Sequence, residues 1–326
     1  GDAQALRKAI EYFERGLKTA LDNGYMEAAI ECYNSLGAAT RFLYEGKLGY
    51  FEKGYELAKK VGHIRQESSL GAQLAIQMLN RGEVRNGISL AEASVALARK
   101  AVHMGNICWS LNTLGYGYLI LGEWERSEQC LSEAVNIGQK LGSLVPVLQG
   151  NCYLGLLYLG KGEYAKAVEF AEKAFTRLEK AESLYLPNLF SWLNLPYIEA
   201  GEIGKAEKWI SIYHKLALET EDKRLMATVD TLRATSLRAE KKWDESIRLF
   251  EKSLQQWEAL DVRKWFVYVF ARFVLFEYAR VYLERDQEGD REKAHSLLNQ
   301  ALEIFEKIGA KKDIEKVIAK KKLLTA

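Results

Sequence analysis

A three-residue mark, Gly-Glu followed by an apolar or aromatic residue, recurs along the middle of this 326-residue chain. Its four copies begin at Gly82, Gly122, Gly162 and Gly201, at intervals of about 40 residues. A constant period of this size is typical of a solenoid, in which one supersecondary unit is stacked many times. Because the core of a solenoid lengthens with every repeat, the chain needs no internal domain boundary.

The residues around each mark predict a pair of antiparallel helices. Around Gly122, apolar residues spaced by three and four predict a first helix over about 107–121. Gly122 ends this helix because glycine adopts the left-handed conformation without strain, and Trp124 opens the second helix. Three small residues would let the two helices approach closely: Gly115, Ser127 and Ala134.

The pattern extends in both directions, although the mark is replaced by Lys241-Lys242-Trp243 and is stretched before Gly289. We therefore predict an all-α fold, a right-handed superhelical solenoid of about seven antiparallel helix pairs that forms a single domain over 1–326. The predicted units are a leading helix of a truncated repeat (1–24), helix pairs at 25–62, 63–105, 106–142, 143–182, 183–221, 222–261 and 262–309, and a capping helix (310–326).

These positions resemble the tetratricopeptide repeat. The resemblance rests on an apolar-glycine step at Leu114-Gly115, followed by Tyr118, Gly122 and Trp124, and on the matching residues of the next two repeats. The period exceeds the roughly 34 residues of the commonest form. The long helix pairs, and the ending at 301–310, are similar to the carboxy-terminal sensor regions of MalT-type signalling ATPases and transcription regulators. That resemblance implies a solenoid that binds an inducer or partner and restrains or releases an ATPase.

Composition and charge argue against several classes of protein. The net charge of +2 gives no reason to expect nucleic acid or an anionic membrane as partner. No apolar run reaches the roughly 18 to 20 residues of a membrane span, and no secretory signal is visible. The four cysteines form no Cys-x-x-Cys pair, so we expect buried thiols in a cytoplasmic protein.

No catalytic or metal-binding motif is visible. The histidines His63, His103, His214 and His295 lie in different repeats, without the spacing of metal ligands. The chain contains neither a P-loop nor a Gly-x-Ser-x-Gly motif. We therefore predict a protein that is not an enzyme and that holds no cofactor and no metal.

The concave groove is the candidate binding site, because the first helix of each pair lines it. Aligning the repeats on their glycines assigns to this groove a mostly uncharged, hydrogen-bonding stripe. Such a lining suits a protein, a peptide or a small-molecule effector. Any amphipathic groove carries some Ser, Thr and Asn, so a structural role for the same residues stays open. The predicted contact residues are Tyr33, Thr40, Trp109, Asn112, Gln149, Asn188, Ser191, Thr231, Thr235, Arg238 and Arg280.

Two segments depart from the regular pattern. Pro196 lies inside the expected first helix of the fifth repeat, so we expect a kink near Trp192, either a hinge or one absorbed by packing. The run over 265–283 is apolar on more than one face. This favours a helix buried between neighbours and leaves open a homodimer through that helix. The lysines of 311–322 are interpreted as the solvated face of the capping helix.

Together these features favour a non-catalytic binding domain, the sensor part of a larger signalling ATPase or transcription regulator. The chain begins at Gly1 without an initiator Met, from which we expect a piece of a longer polypeptide. Two alternatives remain open: a passive scaffold for protein partners and a peptide-pheromone receptor domain. A sensor should change its dimensions or stability with a ligand, whereas a scaffold should respond only to protein.

Overall fold

The computed structural model describes residues 3–43, 49–180, 191–261 and 266–325. Every regular element in these ranges is a helix. Consecutive helices pack as antiparallel pairs, so the prediction of an all-α solenoid is confirmed.

We number the helix pairs of the described residues as repeats one to seven. The helices are α1 (Ala3–Asp22); repeat one, α2 (Met26–Leu43) and α3 (Gly49–Lys60); repeat two, α4 (Ile64–Asn80) and α5 (Val84–Lys100); repeat three, α6 (Met104–Leu121) and α7 (Trp124–Lys140); repeat four, α8 (Leu144–Lys161) and α9 (Tyr164–Lys180); repeat five, α10 (Asn194–Glu199) and α11 (Ile203–Thr220); repeat six, α12 (Lys223–Ala239) and α13 (Trp243–Ala259); repeat seven, α14 (Val267–Val269), a π-helical turn (Phe270–Leu275), α15 (Phe276–Arg285) and α16 (Asp290–Ile308); and the cap α17 (Lys311–Thr325).

The glycine of each mark ends a first helix in the left-handed conformation. At Gly122 φ is 77°, the Gly122 N–H donates to Leu119 O at 3.1 Å, and the Glu123 N–H donates to Tyr118 O at 2.9 Å. These two bonds satisfy carbonyls that the helix end would leave unpaired. In repeat six, where the mark is absent, Lys241 adopts the same region with φ 61°.

Close approach within the helix pair of repeat three depends on small residues, as predicted. A Cβ on Gly115 would lie 2.6 Å from Cγ of Leu131, which is closer than packed carbon atoms allow. Ser127 Oγ donates to the Gly115 carbonyl at 2.8 Å. Leu131 and Ala134 are fully buried.

The break expected near Pro196 lies just before it, at the turn formed by Trp192 and Leu193. The N–H of Leu195 donates to Trp192 O at 3.1 Å, and Asn194 Nδ2 donates to Ser191 O at 2.8 Å. Pro196 then falls in the first turn of α10 (Asn194–Glu199), where its missing N–H breaks no helical bond. The proline therefore restarts the helix after the break.

Candidate functional site

The aromatic helix, residues 267–285 of repeat seven, lies against the inner wall of the solenoid. Every side chain from Phe270 to Ala279 is buried. Phe273 stacks on Trp192 of repeat five with ring centroids 4.9 Å apart. Tyr268 packs on Phe305 of α16 (Asp290–Ile308) at 6.3 Å. The interpretation of a helix buried by neighbours on two sides is therefore confirmed.

A homodimer through residues 265–283 would need exposed apolar side chains on that helix. Among the described residues of that run, no large apolar side chain is exposed, because repeats three to six already cover it. Trp265 lies outside the described residues.

The C-terminal hairpin, formed by α16 and α17 (Lys311–Thr325), closes the groove by packing on the turns of repeats two to four. A Cβ on Gly82 would lie 3.0 Å from Cγ2 of Ile308, and one on Gly122 would lie 2.6 Å from Cγ of Lys312. Lys316 Nζ donates to the Gly160 carbonyl at 2.6 Å. The end of the chain thus contacts repeats that precede it by more than 150 residues in sequence.

The cavity left beneath this contact is small. It holds about 20 Å³ and is lined by apolar side chains of repeats three and four together with Tyr268, Arg272, Asp313 and Lys316. A volume of this size suits about one water molecule. Any larger ligand in this half of the groove would have to displace the C-terminal hairpin.

Two predicted contact residues, Arg238 and Arg280, meet in a buried ionic cluster with glutamates of repeats five and seven. Arg238 Nη1 donates to both carboxylate oxygens of Glu284 at 2.8 Å, and its Nη2 donates to Glu199. Arg280 donates to both oxygens of Glu199 at 2.8 and 3.0 Å. The Arg238 side chain is 5% exposed and that of Glu199 is 11% exposed. Paired and desolvated in this way, the arginines join three repeats.

The cluster continues along the aromatic helix to the cap. Glu277 accepts from Arg280 and from Arg272, each at 2.8 Å, and Arg272 also reaches Asp313 at 3.3 Å. Burial by itself would raise the pKa of Glu277, but Arg280, Arg272 and Arg238 outweigh it and hold the pKa at about 2. Glu277 is therefore ionised inside the protein at neutral pH.

Asp313 and Lys316 carry this cluster into the C-terminal hairpin. Burial raises the pKa of Asp313, although Arg272, Lys316 and a hydrogen bond from Tyr268 oppose it. Burial and the Arg272 charge lower the pKa of Lys316 to about 8. The lysine face of the cap is thus not wholly solvated as expected, because Lys316 is half-buried against repeat four.

Sequence reasoning found the two arginines and missed their acidic partners. A signal was present, since Arg272 and Glu277 both interrupt the otherwise apolar run from Phe270 to Ala279. A charged residue in such a run requires a buried partner. Glu199 and Glu284 carry no such signal, because each lies in the last turn of a helix, where glutamate is ordinary.

Several other predicted contact residues are buried and bonded within the chain. Thr231 Oγ1 accepts from Trp257 Nε1 at 3.2 Å, and Thr235 Oγ1 donates to Thr231 O at 2.8 Å. Asn112 Nδ2 donates to Pro146 O at 2.9 Å. Thr40 and Ser191 are also buried. Thr231 and Asn112 therefore join neighbouring helices, whereas the hydroxyls of Thr235 and Thr40 bond within their own helices.

The predicted residues that keep exposed surface lie nearer the amino-terminal ends of the first helices. Trp109 and Gln149 occupy the same position in repeats three and four. Ser69, which is not among the predicted contact residues, occupies that position in repeat two, and all three side chains are half-buried. Gln149 Nε2 donates to Tyr153 Oη at 3.3 Å. We call these three residues the rim strip. Asn188 holds the same position in repeat five and lies outside the described residues.

Tyr33 lies apart from the rim strip, half-buried in repeat one. Its ring is 6.4 Å from that of Tyr50. The structure therefore divides the predicted residues between repeat one, the rim strip and the interior.

The described residues can also be compared with the requirements of a metal site, a reactive thiol and a membrane span. No group of three or more His, Cys, Asp or Glu among them is placed to hold a metal ion. Burial raises the pKa of the Cys152 thiol well above its usual value, which keeps it protonated and weakly nucleophilic. None of the described helices is long and apolar enough to cross a bilayer.

No family model and no curated protein matches this chain, but solved structures do. RapI in its apo form is 13% identical, with 92% of this chain and 98% of RapI covered and a TM-score of 0.58. A Rap protein complexed with Competence and Sporulation Factor is 12% identical, with 99% of each chain covered and a TM-score of 0.56. BtubC (BKLC) from P. vanneervenii is 19% identical, with 67% of this chain and 93% of BtubC covered and a TM-score of 0.52. These likenesses support a tetratricopeptide-type helical repeat.

Proposed function

We propose that this chain is a non-catalytic domain that binds a protein or peptide along the rim strip, and that it is the sensor part of a larger cytoplasmic signalling protein. The exposure of the rim strip is the observation that supports this proposal. Ser69, Trp109 and Gln149 stand side by side on neighbouring first helices and keep exposed surface, whereas the predicted contact residues Asn112, Thr231 and Thr235 are buried.

The chemistry of the rim strip suits an extended segment of polypeptide. Trp109 offers a large, rigid apolar face with one N–H donor, which is typical of residues that dominate binding energy. Gln149 Oε1 is buried and accepts no hydrogen bond within the described part of the chain. A buried acceptor without a partner is costly, so a main-chain N–H from a ligand would be stabilising there.

The closed groove favours a sensor over a passive scaffold. The rim strip is carried by the same helices, α6 (Met104–Leu121) and α8 (Leu144–Lys161), that bear the C-terminal hairpin at their other ends. A ligand that favours a different spacing of these helices would bias the closure. The Rap protein solved with a bound factor supports a binding role for this fold, and the relation to MalT-type ATPases remains a proposal.

Selection of displayed peptides against the full chain tests this function. We expect enriched peptides to lose at least about tenfold in affinity for Trp109→Ala, or about 1.4 kcal/mol, and to lose affinity for Gln149→Leu. Tyr12→Ala is a suitable control because Tyr12 is 69% exposed and lies on α1 (Ala3–Asp22). Peptides that bind all three variants equally would show that the rim strip is not the site.

A further inference from the structure

The outer side of the solenoid contains a series of slots between the second helices of consecutive repeats. In four of them a tyrosine of the first helix forms the floor, and a cation near the start of the second helix covers its ring. The cation-to-centroid distances are 3.9 Å for Arg126 on Tyr118, 4.9 Å for Lys166 on Tyr158, 5.7 Å for Lys205 on Tyr197 and 5.2 Å for Lys293 on Tyr282. In each case the cation follows the turn glycine by four residues.

A carboxylate of the preceding repeat completes two of these slots. Glu92 of repeat two accepts from Tyr118 Oη at 2.5 Å and from Arg126 Nη2 at 3.3 Å. Glu172 of repeat four pairs with Lys205 at 2.7 Å. The solenoid therefore fills four slots with its own cations, each lying on an aromatic face, and two of these cations, Arg126 and Lys205, also pair with a carboxylate of the preceding repeat.

The slot between repeats one and two lacks that cation. Asn86 stands four residues after Gly82, where repeats three, four, five and seven carry Arg or Lys, and Met78 replaces the tyrosine. The slot is an open cleft of about 410 Å³. Its lining combines apolar and uncharged side chains with two carboxylates: Tyr55, Leu74, Met78, Asn86, Ser89, Leu90 and Ala93 with Glu52 and Glu56.

The carboxylate of this slot is present although its cation is missing. Glu52 precedes Glu92 by one repeat of 40 residues and Glu172 by three repeats, so it holds the same position. Its Oε2 is buried and, within the described residues, accepts no hydrogen bond. Glu56 forms no ion pair with any described residue and lies exposed at the mouth of the cleft.

The slot between repeats five and six lacks all three residues of the set, whereas the slot between repeats three and four has the cation Lys166 although Ser132 stands in the position of Glu52. Between repeats five and six, Leu237 replaces the tyrosine, Glu245 replaces the cation, and Ser211 stands in the position of Glu52. In that slot the cation and the opposing carboxylate are therefore both absent. The slot between repeats one and two keeps the carboxylate.

We propose that this cleft, bounded by Glu52, Tyr55, Met78 and Asn86, binds an arginine side chain presented by a partner protein. The guanidinium would pair with Glu52 as Arg126 pairs with Glu92, and its methylene stem would lie on Leu74, Met78 and Leu90. Tyr55, which is half-buried in the cleft, supplies the aromatic face. Arginine fits better than lysine because its planar head stacks on a ring and bonds a carboxylate through two N–H groups.

This site is separate from the rim strip. It involves the second helices α3 (Gly49–Lys60) and α5 (Val84–Lys100), which face away from the groove, and the carboxy-terminal half of α4 (Ile64–Asn80). A partner could therefore occupy both surfaces at once. A Trp109 variant that no longer binds peptide should therefore still bind an arginine side chain in the cleft.

Methionine methyl NMR of the full chain with argininamide as probe tests the proposal. The chain has four methionines, Met26, Met78, Met104 and Met226, of which Met78 alone lines the cleft. We expect argininamide to shift the Met78 signal saturably, with a dissociation constant on the order of 1 mM for a single side chain. Citrullinamide, its neutral analogue, should leave that signal in place.

Two substitutions separate the cleft from non-specific effects. Glu52→Gln should abolish the argininamide shift while the other three methyl signals stay unchanged. Asn86→Arg should move the Met78 signal without ligand, block argininamide and raise the thermal midpoint, because it supplies the missing cation. An absent Met78 shift, an equal shift with citrullinamide, or an undiminished shift in Glu52→Gln would each overturn the proposal.

Discussion

Lys312 lies directly against Gly122, so closely that a Cβ on the glycine would be 2.6 Å from Lys312 Cγ and 3.1 Å from the Lys312 backbone nitrogen. The same glycine ends helix α6 (Met104–Leu121) with φ 77°. Gly122 therefore has two roles. It terminates a repeat, and it provides the close approach by which the end of the chain closes the groove.

Replacing Gly122 by asparagine should separate these roles. Asparagine tolerates the left-handed conformation, so the helix end should survive, but the added side chain would push Lys312 away. We expect Gly122→Asn to lower the free energy of unfolding, measured in urea, by about 1–3 kcal/mol more than Gly162→Asn. Gly162 is a matched control, since its φ is 78° and nothing lies within 4 Å of its added Cβ. Equal losses in the two variants would contradict the close docking of the cap.

The sequence pattern predicted the helices, but it did not predict that the C-terminal hairpin packs on the turns of repeats two to four. Gly82 and Gly122 predict helix ends because a helix end requires a residue in the left-handed conformation. This requirement is local, so it can be recognised in a single sequence. The contact of Gly82 with Ile308 joins residues more than 200 positions apart, and no periodicity encodes it. The role of Thr231 was misjudged for a related reason. Counting from the glycine places a residue on a helix face, but the burial of that face depends on what packs against it.

The ionic cluster should contribute much more than surface ion pairs do. We expect Arg238→Met to lower the free energy of unfolding by about 3 kcal/mol, because it leaves carboxylates of Glu199 and Glu284 short of a buried partner. Lys208→Met is the control, since Lys208 pairs with Glu179 at 2.8 Å but both side chains are about half exposed; its loss should stay below about 1 kcal/mol. Urea unfolding measures both, and similar losses would show that the cluster contributes little.

Stability should fall in acid through Glu277. Its pKa in the folded chain is about 2, against an ordinary value of 4.5. A lowered pKa stabilises the fold above 4.5, and this contribution is lost as pH falls from 4.5 towards 2. Glu277→Gln should therefore be less stable at neutral pH and show a shallower loss across that window. Asp313, whose pKa is raised, gives the opposite pH dependence of stability. Because Asp313 is present in both the unsubstituted chain and Glu277→Gln, the difference between their pH profiles reports on Glu277.

Lys316 should produce a second pH dependence, on the alkaline side. Its pKa is about 8 in the folded chain and 10.5 ordinarily, so between these values the unfolded chain binds the proton and the folded chain does not. Stability contributed by this group should rise with pH across that window. Lys316→Met should remove this rise, seen as the difference in unfolding free energy between the two proteins from pH 7.5 to 9.5. Parallel profiles would mean that Lys316 is not buried as described.

A distance measurement in solution tests most directly whether the C-terminal hairpin closes the groove. Spin labels at the exposed residues Glu125, near the Gly122 turn, and Glu315, one turn from Lys312, would report that contact by double electron–electron resonance. The closed structure predicts a single narrow population at short distance, which Gly122→Asn broadens and lengthens. A broad, long-distance distribution in the unsubstituted chain would show that the cap does not dock on repeat three and would contradict the closed groove.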